Sequence, residues 1–515
     1  MEDFAFQDVA VATIVSKLIA NKHSTQSILL VSATGSGKTY IAGRAIKEIM
    51  AQGFGPYLSV VNTQPLVGQT YRELEGLGIR VSVVHNELFG DEFGKFEMGW
   101  HGDVVITMPE TFRNTHKGKN ALEFDEKFNP YLIWFDEAHK STSEIFQYIR
   151  DMYPEARLLG TTATPYRDQN KEGERLTDWY DETINTVSVA ELIRIGRLVQ
   201  PVYLSYDDTK HLVNEWKKVV EHKTNKSTIV FVYDTKAAVS YLKSFQAAGI
   251  SAEIITGGSE LVTIGGKPLP PQTPKQRNEI NAKFTSGEIT VLITVNALCE
   301  GWNNKRAEIC ILARKMGNPS IYDQSIGRVM RAYTDGNYTK TSCIVMDFFG
   351  NVMDPKLGRV EDRDWDEVGD GRDILVVRNG SKITSEALES RRIVYHACEN
   401  CNHVYNIKKS MTCTNEECKK PAGIEIYSTL KDKVYPLFNP KDKEHLSNII
   451  GHILKISTMP DEQKIRAIAV FNAKTARGKT VIDDDGNLMM DFKFLEALYG
   501  LKAKDLTLGR KIRMN

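Results

Sequence analysis

No stretch of this 515-residue chain approaches the ~20 consecutive apolar residues that a membrane-spanning helix needs. There is no surplus of charge either, because Lys plus Arg and Asp plus Glu number 66 each. A global positive field toward nucleic acid is therefore missing, although a local basic groove would suffice for binding. The start, Met1-Glu2-Asp3, is acidic and has no basic segment leading into an apolar one, so a soluble, intracellular, cytoplasmic protein is expected. No sequence repeat and no obvious nuclease motif is visible. Cysteine is scarce, with seven in all. Cys299, Cys310 and Cys343 lie scattered in apolar runs and are expected to be buried free thiols. The other four cluster within 21 residues, which argues for a metal rather than a disulfide framework. The remaining composition, 41% apolar and 26% charged, is that of an ordinary globular chain long enough for several domains.

The chain is organised around Leu29 to Thr39, LLVSATGSGKT. An apolar run, Ser27 to Val31, reads as a buried strand. It breaks into Ala33-Thr34-Gly35-Ser36-Gly37-Lys38-Thr39, and an apolar-periodic run, Tyr40 to Met50, reads as a helix. Strand, glycine turn and helix start form a phosphate cradle. Backbone N–H groups around Gly35, Ser36 and Gly37 can point at a phosphate, Lys38 neutralises charge and the Thr39 hydroxyl can hold Mg²⁺. The strict pattern wants glycine at position 32, where Ser32 stands. Ahead of the cradle, Val9 to Ala20 reads as a helix. Gln7 in its lead-in is either a reader of the adenine edge or a surface glutamine.

Further apolar strands are expected at Tyr57–Val61, Val81–Val84, Asp103–Thr107, Tyr131–Phe135 and Ala156–Leu159. Several end in polar clusters, Asn62-Thr63-Gln64 and Asp136-Glu137-Ala138-His139 among them. Apolar strands alternating with helical stretches imply a parallel sheet covered on both faces, with ligands at the C-terminal strand edge. After a boundary near Leu198 to Pro201 the pattern begins again. Strands are expected at Ser227–Tyr233, Ala252–Ile255, Val291–Val295, Ile309–Ala313 and Cys343–Phe348. Helices are expected at Thr235–Ala248, Pro274–Phe284 and Ile321–Arg331. Glu361 to Asp373, with seven acids and two arginines, reads as an exposed linker.

Asp136-Glu137-Ala138-His139 supplies what a cradle lacks. An aspartate at a strand end can hold Mg²⁺, and the neighbouring glutamate can polarise an attacking water. These motifs, with Thr162-Ala163-Thr164-Pro165 and Gln324-Ser325-Ile326-Gly327-Arg328-Val329-Met330-Arg331, resemble motifs I, II, III and VI of superfamily 2 helicases. The resemblance covers about residues 1–350. It is nearest to the DEAH-containing branch of restriction-type and phage-encoded DNA helicases, including the branch-migrating UvsW-like proteins.

That resemblance implies an α/β fold of two tandem RecA-like parallel-sheet lobes with ATP between them. Residues 1–200 would form the first lobe and 201–355 the second. A linker, 356–392, would lead to a small zinc ribbon, 393–424, and a mainly helical accessory region, 425–515. Lys38, Thr39, Asp136 and Glu137 would come from the first lobe. Arg328 and Arg331, sharing a face of one helix at i and i+3, would be arginine fingers from the second. Gln324 would contact the γ-phosphate or the attacking water. His139, Thr162 and Thr164 would couple hydrolysis to lobe movement. Thr63 and Gln64 resemble motif Ia, Thr107 motif Ib and Thr294 the start of motif V, and would grip phosphates without reading bases. Asn296 to Trp302 holds the place of motif V in an unusual form.

Cys398-x₂-Cys401-x₁₁-Cys413-x₄-Cys418 fits a closed, structural Cys₄ zinc site, with His396 and His403 as nearby substitutes. The Gly257 to Gln276 connection is either a strand-separating element or a surface insertion. The last fifteen residues carry five basic side chains and one acid, and either touch phosphates or form a solvated tail. The expectation is an ATP- and Mg²⁺-dependent DNA helicase or translocase with structural zinc. DNA, single-stranded or branched, is the expected partner, and a protein could dock on the C-terminal region. The rivals are an RNA helicase with the same engine, a duplex-translocating restriction motor, and a binding module that uses ATP only as a switch.

Overall fold

The computed structural model describes most of residues 5–436. Outside the description lie 20–25, 86–95, 166–175, 257–261, 296–301, 363–373, 385–392, everything beyond 436, and a few shorter breaks. The chain divides into two compact units, Met1–Gly371 and Arg372–Asn515.

The first unit holds two parallel sheets. In the first sheet the strands are β1 (Ser27–Val31), β2 (Tyr57–Val60), β3 (Val81–Val84), β4 (Val104–Thr107), β5 (Leu132–Asp136), β6 (Arg157–Thr162) and β7 (Glu182–Asn185). Their order is β3-β4-β2-β5-β6-β1-β7, and every pairing is parallel. Strands this apolar must be covered on both sides. Along β1, Ile28 and Leu30 enter one core with α1 (Ala5–Leu18), α2 (Lys38–Met50) and α3 (Gln64–Gly76). Leu29 and Val31 enter the opposite core with α4 (Pro109–His116) and α5 (Glu144–Met152). This is the period of two that a strand imposes.

A short helix, α6 (Val189–Arg194), leads into the second sheet. Its strands are β8 (Gln200–Ser205), β9 (Thr228–Val232), β10 (Ala252–Ile255), β13 (Val291–Thr294), β14 (Ile309–Ala313) and β17 (Ser342–Asp347), in the order β10-β13-β9-β14-β17-β8, again all parallel. Helices α7 (Leu212–Val220), α8 (Thr235–Ala247), α9 (Pro274–Ser286) and α10 (Pro319–Gly327) connect them. Between β10 and α9, the long connection forms a small antiparallel hairpin, β11 (Val262–Ile264) with β12 (Lys267–Leu269). Its base is closed by Gln272, which accepts from Thr256 N at 2.9 Å and donates to Ile254 O at 2.7 Å. A second hairpin, β15 (Thr334–Asp335) with β16 (Tyr338–Thr339), precedes β17.

Two expectations change here. The helix expected over Ile321–Arg331 ends at Gly327, so Arg328 is its C-cap and Arg331 instead bridges to Leu198. Within the expected linker 356–392, β18 (Ile374–Val377) and β19 (Lys382–Thr384) are strands that belong to the second unit.

In that unit β18 pairs with β20 (Ile393–Ala397), which pairs with β21 (Val404–Asn406). β19 pairs with β22 (Glu425–Leu430), which turns into β23 (Lys433–Pro436). The accessory region expected to be mainly helical therefore opens as a hairpin, and its remainder lies outside the described residues. Val377, Ile383, Val394, Tyr405 and Ile407 pack with the cysteines in a small core. Among the described residues, no helix is long and apolar enough to cross a membrane.

Candidate functional site

Parallel register brings the motifs together. β5, β6 and β1 are neighbours, with Asp136 opposite Thr161 and Val31 opposite Thr162. Their C-terminal ends therefore share one edge at about 4.8 Å spacing. Ser32 N continues the ladder to Thr162 O at 3.0 Å.

The cradle follows β1. Gly35 and Gly37 both sit in left-handed backbone, at φ 88° and 86°, which a side chain would strain. Gly37 is the N-cap of α2 and offers no side-chain cap, and the first turn has no acid. The helix therefore presents bare N–H groups and positive dipole to an anion. Thr39 lies in that first turn, and Ser36 Oγ is buried without a partner. Lys38 Nζ donates to Ser32 O at 3.3 Å. Burial lowers the Lys38 pKa, while Glu137 and Asp136 raise it and Arg328 and Arg331 lower it. Position 32 tolerates serine because its hydroxyl accepts from Thr186 Oγ1 at 2.6 Å. Gln7 is buried, not on the surface, and its Nε2 donates to Ser36 O at 2.8 Å. That amide nitrogen braces the cradle.

Asp136 and Glu137 are adjacent in sequence and opposite in behaviour. Asp136 Oδ1 accepts from Thr161 Oγ1 at 2.8 Å and from Glu137 N at 3.0 Å. Trp134 Nε1 donates to the same threonine at 3.0 Å. Burial, then the Glu137 charge, pushes the Asp136 pKa up to about 6. For Glu137 burial also acts upward, but His139 and Lys38 overcome it and hold the pKa at about 2. Glu137 stands in left-handed backbone at φ 51°, and its buried Oε2 accepts no hydrogen bond. An uncapped helix start, the unpartnered Ser36 hydroxyl and the half-buried Lys38 are the groups that a magnesium–nucleotide would satisfy. The residues present fit it.

His139 Nδ1 lies 3.4 Å from both Glu137 Oε2 and Thr162 Oγ1. Thr162 Oγ1 in turn donates to Thr164 O at 2.9 Å and accepts from Thr164 N at 3.1 Å. Thr164 Oγ1 is buried without a partner. The three expected coupling residues thus form one chain.

The second sheet supplies its residues through α10. Gln324 is buried on that helix. A methyl group on Gly327 would come within 3.0 Å of Thr34 Cγ2, so the helix end touches the cradle loop. Arg328 donates through Nη1 to Trp302 O. Arg331, beyond the helix, has its pKa lowered to about 9 by burial and then by Arg328. Gly327 against Thr34 is thus the point where the second sheet's helix meets the cradle, and both arginines lower the Lys38 pKa.

The expected nucleic-acid residues divide. Thr63 is the N-cap of α3, and its Oγ1 has no partner. Gln64 opens the same helix. Thr107 is fully buried and its hydroxyl donates inward, to Val84 O at 3.1 Å. Thr294 is fully buried as well. Neither side chain is open to a phosphate, which corrects the expectation of a hydroxyl grip there. Most of motif V, 296–301, lies outside the described residues. Thr161, Thr186 and Asn62, whose Nδ2 donates to Asp136 O at 3.2 Å, were missed in the sequence. Each acts across strands, and no local pattern marks it.

In the second unit the Cys398, Cys401, Cys413 and Cys418 thiols all lie within 4.8 Å of one another. Cys398 to Cys418 and Cys401 to Cys413 are each 3.6 Å apart. Four sulfurs tetrahedrally placed about 2.3 Å from zinc would be about 3.8 Å apart, so the set fits that ion. The turns are tightened by Asn402 and Lys419 in left-handed backbone. His396 Nδ1 lies 3.2 Å from Val377 O and His403 Nε2 lies 2.9 Å from Thr414 Oγ1, and neither joins the thiols. Cys310 and Cys343 are buried free thiols, and Cys299 lies outside the described residues.

Comparison with known proteins gives two family models. Residues 1–167 match the type III restriction enzyme res subunit, and residues 210–333 match the helicase conserved C-terminal domain. A 51.5 kDa protein of a Lactococcus phage is 24% identical over 446 residues, covering 80% of this chain and 85% of that one. Saccharomyces cerevisiae IRC3, named as an ATP-dependent helicase, is 24% identical over 64% of this chain. This chain spans only 49% of the yeast protein. Among solved structures, the type ISP restriction-modification enzyme LlaBIII bound to DNA aligns at 16% identity and TM-score 0.48, over 66% of this chain and 27% of its own.

Proposed function

Because the chain belongs to superfamily 2 of the helicases, we propose that it is an ATP-dependent DNA helicase or translocase of the DEAH-containing, restriction-type and phage-encoded branch, similar to the UvsW-like proteins. The observation that carries the reading is geometric: the end of α10, at Gly327 beside Arg328, closes on Thr34 of the cradle loop, and Asp136 and Glu137 end a strand that shares the cradle's sheet edge. Residues 1–200 and 201–355 are the two lobes, and 393–424 is the zinc ribbon.

Gly35 to Thr39 and Lys38 would hold the ATP phosphates, and Thr39 with Asp136 would hold Mg²⁺. When bound, ATP and Mg²⁺ supply the phosphoanhydride bond and the neutralising charge. Phosphoryl transfer then asks the protein mainly for positioning. Glu137 suits that task, because a carboxylate held at about 2 stays ionised and orients a water without keeping its proton. Gln324, Arg328 and Arg331 would serve the γ-phosphate, where such arginines contribute about 10³–10⁵ in rate. The His139–Thr162–Thr164 chain runs from Glu137 along the strand edge, a route by which loss of the γ-phosphate would move the lobes. Thr63, Gln64 and backbone amides near Thr107 and Thr294 would track one DNA strand, giving sequence tolerance and steep salt dependence. The four cysteines would hold structural zinc, and the region 425–515 could dock a protein partner. The process served is replication, recombination or repair.

The test is the steady-state ATPase rate without nucleic acid and with single-stranded DNA, branched DNA and RNA, alongside Glu137→Gln. Stimulation by branched DNA, absent in the variant, is expected. Stimulation by RNA alone would move the protein to the RNA helicases. No stimulation by any of them would remove the motor reading.

A further inference from the structure

The two arginines of the second lobe do not share a helix, so something else must hold them in register. α10 stops at Gly327, and the chain turns at Arg328 and Val329 before Arg331 bridges to Leu198. Its first bonds are local, from Arg328 N to Ser325 O at 3.3 Å and Val329 N to Ile326 O at 3.0 Å. Met330 O accepts from Val199 N at 2.7 Å. The carbonyl of Val329, midway between the arginines, accepts from a side chain: Lys340 Nζ at 2.9 Å.

Lys340 is 3% exposed, which is rare for a lysine. Its ammonium has three donors, and all three are used. Besides Val329 O they go to Lys305 O at 3.1 Å and Ala307 O at 2.8 Å, on the lead into β14. β14 lies between β9 and β17 within the sheet, so that lead is a fixed reference. The backbone of Lys340 is fixed as well, its N–H donating to Tyr333 O at 2.9 Å across the hairpin. No carboxylate is among its bonded acceptors. Glu308 stands nearby but pairs with Lys223 at 2.7 Å and with the Tyr338 hydroxyl. A buried charge served only by carbonyls is a costly way to fill space. Burial accordingly lowers its pKa, to about 8, with Cys343 and Glu308 acting upward and Arg331 downward.

We propose that Lys340 is a positioning residue for hydrolysis: a three-pronged pin that ties the Arg328–Arg331 turn to the base of β14 and so aims both guanidinium groups at the cradle. This rests on the reading that those arginines serve the reaction. An apolar side chain in its place would leave three carbonyls, two of them buried, without this donor and release the turn at its midpoint. The cradle, on the other sheet, would be untouched.

The experiment measures kcat and KM for ATP, with saturating single-stranded DNA, for wild type, Lys340→Ala, Lys340→Met and Arg331→Ala, with melting curves for each. Since misplacing a group by about 1 Å costs ~100-fold, Lys340→Ala is expected to lower kcat about 100-fold with KM changed less than about threefold. Propylammonium, which replaces the missing stem and charge, is expected to restore at least about tenfold, and 1-propanol nothing. Unchanged kcat, or a loss shared by kcat and KM that propylammonium does not relieve, would overturn the proposal. If the alanine variant does not fold, Lys340→Met keeps the stem's volume and gives the same kcat–KM comparison. Failure of both variants to fold would mark Lys340 as merely structural. Arg331→Ala separates the two readings. If it leaves kcat intact, the arginine assignment falls and this proposal with it, whereas an Arg331 loss without a Lys340 loss overturns only the pin.

Discussion

Replacing Asp136 by asparagine is expected to stabilise the nucleotide-free fold while abolishing turnover. The ionised Asp136 is buried beside the Glu137 charge, and its pKa is raised from 3.8 to about 6. A rise of about two units means that holding the charge at pH 7 costs the folded state about 3 kcal/mol. Asparagine removes the charge and keeps an oxygen to accept from Thr161 and Glu137 N. The direction with pH follows from the sign of the shift. Below pH 3.8 the carboxyl is protonated whether folded or not, so the substitution gains nothing. The gain grows as pH climbs toward 6, reaching about half at pH 5 and its full size near pH 7. The measurement is urea unfolding of both proteins, followed by tryptophan fluorescence in the presence of a metal chelator, at pH 4, 5 and 7. Trp134 reports locally, because it donates to the Thr161 hydroxyl that holds Asp136. A variant no more stable than wild type at pH 7, or equally more stable at all three values, would refute the reasoning. Added Mg²⁺ and a non-hydrolysable ATP analogue should reverse the order, since only wild type gains from a ligand that uses the carboxylate.

The remaining expectations concern the cradle and the cysteines. Gly37→Ala would strain backbone at φ 86° and bring its methyl group to 2.8 Å from Gln7 Nε2. Its KM for ATP should rise about 5- to 30-fold, from a penalty of about 1–2 kcal/mol. Ser32→Gly loses only the Thr186 bond, so it should cost about 1 kcal/mol of stability with KM retained, and a raised KM would mean that Ser32 serves the ligand. One zinc per chain should be found by elemental analysis. Its removal by a chelator, or Cys413→Ser, should open the region around Cys398–Cys418 to proteolysis while the ATPase without nucleic acid persists. Full protection of the metal-free protein would sink the zinc assignment.

Much of this protein follows from sequence because its signals are local. β1, the two glycines and the start of α2 are consecutive, so apolar period and backbone freedom suffice to place a cradle there. The parallel sheets follow from apolar strands alternating with helices, and a Cys₄ set is legible from spacing alone. The tertiary structure decided what depends on neighbours distant in the chain. Asp136 and Glu137 adjoin in sequence, yet one carboxyl rises to about 6 and the other falls to about 2. Burial, the Glu137 charge acting on Asp136, His139 and Lys38 set that split, and no reading of two adjacent acids contains it. Apolar periodicity carries past Gly327 through Val329 and Met330, so the pattern extends a helix that the backbone ends. Those two residues are buried although they lie beyond the helix end. Thr107 looked available because threonine at a strand end often is, but its hydroxyl turns inward to Val84. β18 and β19 follow the acidic stretch, within the region expected to be linker, and become strands by pairing with β20 and β22. Lys340 carries no mark in sequence at all. Its role exists only where three carbonyls from two distant segments converge on one buried charge.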